Sequence, residues 1–189
     1  MPEAERDAFT NALTADVNSA WERVVNSANA TYRREFIRSV SAAIEGLHWQ
    51  LKDDLLKRSW YRLSVHEQAA MLEEPFSIND RGIVSVQPRF LPLSIAVRLV
   101  VQVIKRLRPT HELDFNNVGW SNLKSTIEVR NRIVHPKSMA DLDVSEKEVE
   151  EAMNSFNWML ALVKELFEEA NAYVASLRAA GFLVQVEGD

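Results

Sequence analysis

The chain has no cysteine, and only five glycines and six prolines in 189 residues. Without thiols there is no disulfide framework and no thiolate metal site, and nothing points to an oxidising compartment. So little glycine argues against an all-β fold and against a glycine-rich phosphate loop, because both need tight backbone turns. Neither the Walker pattern nor G-x-G-x-x-G occurs. Long hydrophobic runs are missing too. The most apolar stretch, Leu91 to Ile104, is interrupted by Arg98 and Gln102 and is too short to span a bilayer. The opening MPEAERDAFT is acidic and polar, the reverse of a secretory signal. The expectation is a soluble, cytoplasmic protein with no membrane partner.

What is present is ordinary globular material. Hydrophobic residues at 47 % and charged residues at 26 % suffice for a core, and no repeat or linker divides the chain, so residues 1–189 read as one domain. The net charge of -5 hides an uneven distribution. Residues 1–75 carry 9 Lys and Arg against 12 Asp and Glu, residues 76–138 carry 10 against 4, and residues 139–189 carry 3 against 11. A basic island of +6 thus sits between flanks of -3 and -8. Local field rather than total charge steers a polyanion, although acidic helices also serve simply as solvated faces.

Apolar spacing predicts a largely helical chain. Phe9, Leu13, Val17, Trp21 and Val24 mark a helix from about Glu3 to Ala28, and Phe36, Val40, Ile44, Leu47, Leu51 and Leu55 a second from about Tyr32 to Tyr61. Ser64 and Glu67 form a capping-box signature for a short helix that stops before Pro75. Between Phe76 and Gln87 the period changes: two short β-like runs flank Asn79-Asp80-Arg81-Gly82, a turn sequence, which predicts a hairpin over 76–87. Further helices run from Pro92 to Pro109 and from about Val118 to Val134. The last begins at a second capping box, Ser145 with Glu148, and ends near Gly181. Its apolar residues Val149, Met153, Phe156, Leu160, Val163, Phe167, Ala170, Val174 and Leu177 step by four and three, a heptad seam suited to a bundle or a dimer interface, with the bundle favoured. The fold class is all-α, about five to six helices with a small β-hairpin insertion.

The stretch that carries chemistry is Arg130-Asn131-Arg132-Ile133-Val134-His135-Pro136-Lys137. Pro136 disfavours helical geometry at the residue before it, so His135 should sit at the end of its helix. A helix C-terminus favours imidazolium, and an imidazole poised there can exchange a proton at physiological pH. Asn131, four residues before His135, shares its face and is placed to bond the ring or a phosphate. Arg130 lies about 140° around the helix from His135, so contact within one chain relies on its length. Its planar guanidinium matches two phosphate oxygens at once.

Arg130 to His135 fits R-x4-6-H with a polar residue after the arginine, at the end of the penultimate helix of an all-α chain. In this the chain resembles the HEPN domain family. The resemblance implies a HEPN-like helical bundle and a metal-independent endoribonuclease, with no cofactor, acting as a homodimer whose two motifs make one composite cleft. It implies His135 as general acid/base, Arg130 as stabiliser of the phosphoryl oxygens and Asn131 as positioner of ring or phosphate. A 2′-hydroxyl would attack the adjacent phosphorus to leave a 2′,3′-cyclic phosphate and a 5′-hydroxyl. A toxin or defence effector with a cognate antitoxin or other defence protein as partner is implied as well. A subset of these toxins has a tyrosine two positions after the histidine, which a nucleotidyltransferase antitoxin modifies; here that position is Lys137, a departure that puts inhibition by that route in doubt and offers an RNA-backbone contact instead.

Lys137, Arg132, Arg34 and Arg38 are the remaining candidates for contacting RNA, with Arg33, Lys105, Arg106 and Arg108 in similar clusters. Arg132 also pairs naturally with Glu128 at i,i+4, a structural role. Trp21 and Trp120 read as core, whereas Trp49 and Trp60 are less constrained and free to stack on a base. Glu45, among apolar neighbours, reads as a buried polar partner of the site. His48, His66, His111 and His135 lie on different elements without metal-ligand spacing. Two readings of other classes stay open: a non-catalytic helical module that binds RNA or a protein partner, and a nucleotide-binding accessory domain.

Overall fold

The computed structural model describes residues 3–74, 76–86, 89–108 and 115–179. Among them are six α-helices: α1 (Glu3–Asn26), α2 (Ala30–Ser59), α3 (Val65–Leu72), α4 (Leu93–Leu107), α5 (Val118–Val134) and α6 (Glu146–Ala179). A two-stranded hairpin, β1 (Phe76–Ile78) and β2 (Val84–Val86), and single 3-10 turns at Trp60–Arg62 and Met139–Leu142 complete the set. The expected all-α bundle with a small hairpin is therefore what the chain forms.

Helix α2 is the axis of the molecule. It packs against α1, α4, α5 and α6, and Phe36, Ile37, Val40, Ile44 and Leu47 are wholly buried along it. Asn29 starts it, its side chain accepting from the Thr31 N–H, so the chain reverses sooner after α1 than apolar spacing suggests. The direction of each neighbour is fixed by cross-helix bonds. Gln50 near the end of α2 donates to the Arg6 carbonyl and accepts from Thr10 at the start of α1, so the two helices are antiparallel. Thr126 and Ser155 bond across α5 and α6; Arg132 at the end of α5 pairs with Glu148 at the start of α6, and Gly119 at the start of α5 lies against Trp158 farther along α6, so that pair is antiparallel as well. Helices α2 and α6 run in parallel, joined near one end by Arg33 to Glu146 and near the other by Arg58 to Asn171. These polar bonds fix the register of helices whose apolar stripes alone would allow sliding.

From Val149 to Ala170 the seam of α6 is spent inside the chain, as the bundle reading expects. Its buried residues are Val149, Ala152, Ser155, Phe156, Met159, Leu162, Val163, Leu166, Phe167 and Ala170, while Met153 and Leu160 are partly covered. The stripe is wider than a two-position heptad seam because α6 lies in the groove between α2 and α5 and buries residues on both flanks. The predicted end near Gly181 falls outside the described residues. Trp21, tilted against Phe36, and buried Trp120 belong to the core as expected. Both capping boxes form. In the hairpin, Asn79 accepts from the Arg81 and Ile83 N–H groups and Gly82 adopts φ 73, a left-handed conformation that its missing Cβ permits. Gln87 and His111 lie outside the described residues.

No helix of the described residues is long and apolar enough to cross a membrane.

Candidate active site

Helix α5 delivers the motif. Asn117 caps its start by accepting from the Trp120 N–H at 2.8 Å, and Gly119 brings the first turn against Trp158 of α6. At the other end His135 leaves the helix at φ -122 and ψ 57, its N–H making the last helical bond to the Asn131 carbonyl at 3.1 Å. Pro136 then prevents continuation. The imidazole is exposed, as are Asn131 and Lys137.

The loop that leads from His135 to α6 is tightly held. The Asp141 carboxylate accepts from the backbone N–H of Lys137 at 2.7 Å and of Ser138 at 2.8 Å. The Lys137 bond is the chief reason its carboxyl stays below the usual range. Arginines clamp the rest. Arg34 donates to the Leu142 carbonyl at 3.1 Å, and Arg33 to the Val144 carbonyl at 3.1 Å and Glu146 at 2.9 Å. Arg132 donates to the Asp143 carbonyl at 2.7 Å and pairs with Glu148 at 3.1 Å.

Two sequence expectations change here. The partner of Arg132 is Glu148 of α6 rather than Glu128, because the guanidinium reaches off the helix toward the loop and a partly buried carboxylate. Arg34 and Arg132 fasten backbone carbonyls through their guanidinium groups, which removes those donors from phosphate binding. Arg38 is different: it is exposed and makes one long bond, 3.5 Å, to the Ile133 carbonyl. It and Arg23 border a groove of about 430 Å³ between α1 and α2. Arg38, at the Ile133 carbonyl, also sets positive charge against the negative pole of α5. Arg106 pairs with Glu67 at 2.7 Å and Arg108 donates to the Leu166 carbonyl, so both serve the bundle. Trp49 and Trp60 are partly exposed, Trp49 lying edge-on to Phe9.

Arg130 points into a cleft of about 200 Å³ between α2, the start of α4 and α5. Its guanidinium donates to Asn131 Oδ1 at 3.2 Å and stands 3.8 Å from Glu45. Glu45 is thus a partner of the site, but it is not buried: 53 % of its side chain is exposed. It lies at the edge of the α2 stripe, where apolar neighbours in sequence do not imply coverage. The same cleft has apolar walls, Ile44, Leu93 and Ile127 among them. Pro92 and Leu93 close it from α4, and no sequence signal tied them to the motif. His135 is not part of this lining, so a single chain gathers Arg130, Asn131 and Glu45 and leaves the imidazole outside the cleft. Asn131 Oδ1 is engaged by Arg130 rather than by the ring.

Among the described residues no three His, Asp or Glu side chains are gathered as metal ligands would be. In comparisons with known proteins, no family model, no curated protein and no solved structure matches the chain.

Proposed function

We propose that this protein is an endoribonuclease of the HEPN type, a metal-independent enzyme that works as a homodimer and serves as a toxin or defence effector. The observation that carries the reading is an exposed imidazole at the very end of α5, one turn beyond an arginine and an asparagine that border an accessible cleft. His135 accepts the proton of a ribose 2′-hydroxyl as O2′ attacks phosphorus. The P–O5′ bond breaks, and the leaving oxygen takes a proton from the second copy's imidazole or from water. Arg130 faces the equatorial oxygens, where negative charge grows in the transition state. The products are a 2′,3′-cyclic phosphate and a 5′-hydroxyl. Since His135 and Arg130 do not share a cleft within one chain, the reading pairs His135 of one copy with Arg130 of another.

Incubation of the purified protein with RNA in EDTA tests this. Cyclic-phosphate ends are expected, with loss of roughly a hundredfold or more in rate for His135→Ala. Exposed His135 makes only a backbone bond, so that variant should melt within about 0.5 kcal/mol of the parent. Arg130→Ala and His135→Ala proteins, each inactive, should recover activity when mixed and allowed to exchange subunits. Undiminished cleavage by His135→Ala removes the assignment.

One observation favours the non-catalytic reading: β1 and β2 expose an apolar face of Phe76, Ile78, Val84 and Val86. A partner-binding module predicts a complex that survives His135→Ala and no phosphodiester products.

A further inference from the structure

The cleft that holds Arg130 is more than an arginine socket. Its 200 Å³ is room for a planar heterocycle, and Ile44, Leu93 and Ile127 supply the apolar surface on which such a ring packs. Of its polar residues, Ser41 and Thr126 spend their hydroxyl hydrogens on the Ile37 and Asn122 carbonyls of their own helices, which leaves Glu45, Arg130 and Asn131 as the groups that can bind a ligand. Glu45 presents two carboxylate oxygens with no hydrogen, and its distance of 3.8 Å from Arg130 is longer than a hydrogen bond, so both groups are open to closer partners. Asn131 gives its Oδ1 to Arg130, and its amide nitrogen carries two hydrogens to donate.

We infer that this cleft is a base-recognition subsite, that it takes guanine, and that Glu45 is the specificity-determining residue. The inference rests on the ribonuclease reading for its substrate, a nucleotide whose phosphate Arg130 holds. Guanine presents on one edge an acceptor, O6, and beside it two adjacent donors, N1–H and N2–H. The carboxylate accepts both donors at once while Asn131 donates to O6. The other bases fail for definite reasons. Adenine turns its N1 lone pair toward the carboxylate, and cytosine does the same with N3. Uracil offers a single donor between two acceptors. A carboxylate left facing an acceptor loses its water without a replacement bond, and that asymmetry makes the discrimination.

Titration calorimetry of the 189-residue chain with the 3′-monophosphates of guanosine, adenosine, cytidine and uridine reads this directly. Guanosine 3′-monophosphate should bind roughly 5-fold to 100-fold more tightly than the other three, the range of one good bidentate base contact. Glu45→Gln keeps the size of the side chain but offers one acceptor, and should bring the four affinities together. Loosening of Arg130 by that change would lower all four alike, so the ratio among bases, not the absolute affinity, is the readout. Equal binding of the four nucleotides by the parent protein, or a guanine preference that survives Glu45→Gln, overturns the inference. Guanine-selective binding by a protein that cuts no RNA would remove the nuclease reading and keep the base site. Cleavage without base preference and with equal nucleotide binding would do the opposite.

Discussion

His48 sits where α2 meets α4 and is only 7 % exposed, with its Nε2 buried and without a hydrogen-bond partner. Burial drives its pKa from 6.5 down to about 4, opposed by its bond to the Ala96 backbone and reinforced by Lys52. A lowered pKa means that the folded protein refuses a proton the unfolded chain accepts. The stability this protects is complete above the unfolded value and is lost as pH falls toward the folded one. Across the whole window the loss is roughly 3 kcal/mol, and between pH 7 and pH 5 about 2 kcal/mol. Such a loss is a large part of the stability of a domain this size. Urea denaturation at the two pH values should show a midpoint lower by about 1 M at pH 5, for an m-value of about 2 kcal/mol/M. His48→Gln cannot titrate in this range, so its midpoint should respond less to pH by that amount, whatever its absolute stability. An identical pH response in parent and variant would show that His48 takes its proton within the fold, and the linkage argument would be lost.

Gly119→Ala tests the approach of α5 to α6. A methyl group there would overlap the Trp158 ring, so although alanine is the better helix former, the variant should lose about 1–3 kcal/mol. A scanning melt should show this as a lower Tm, and a higher one would refute the packing argument. Arg132 and Lys137 separate two roles that a sequence assigns alike. Arg132→Met strips a partner from Glu148 and from the Asp143 carbonyl, so it should destabilise by about 1–3 kcal/mol and leave the salt dependence of RNA binding unaltered. Lys137→Ala should leave the melt in place and flatten the plot of log affinity against log salt by about one unit.

Local signals carried most of the fold. Both serine–glutamate boxes, the Asn79–Gly82 turn and the proline after His135 act within four residues, and each stands where the sequence implies. The position of His135 at a helix end was legible for that reason. The work done by the arginines was not, because charge in a sequence gives no address. Arg34 and Arg33 fasten carbonyls 108 and 111 residues away, and only the packing of α2 beside the loop brings them there. Glu45 shows the same limit from the other side. Apolar neighbours along a helix say nothing of which edge of the stripe a residue occupies. The heptad count on α6 found the right face but too narrow a one, since a helix set between two others buries both shoulders of its seam.

The hairpin stands apart from this network. Its strands are three residues each, they pair only with one another, and Ser77 and Ser85 face each other on the side opposite the apolar residues. A two-stranded ribbon of this length has little stability of its own and lends almost none to the core. The molecule therefore has two melting units of unequal strength, and the weaker can open while the stronger stays shut. A single tryptic nick after Arg81, at the ribbon's tip, would yield two fragments that remain clasped, because the helices on either side of the cut hold each other and not the thread between them.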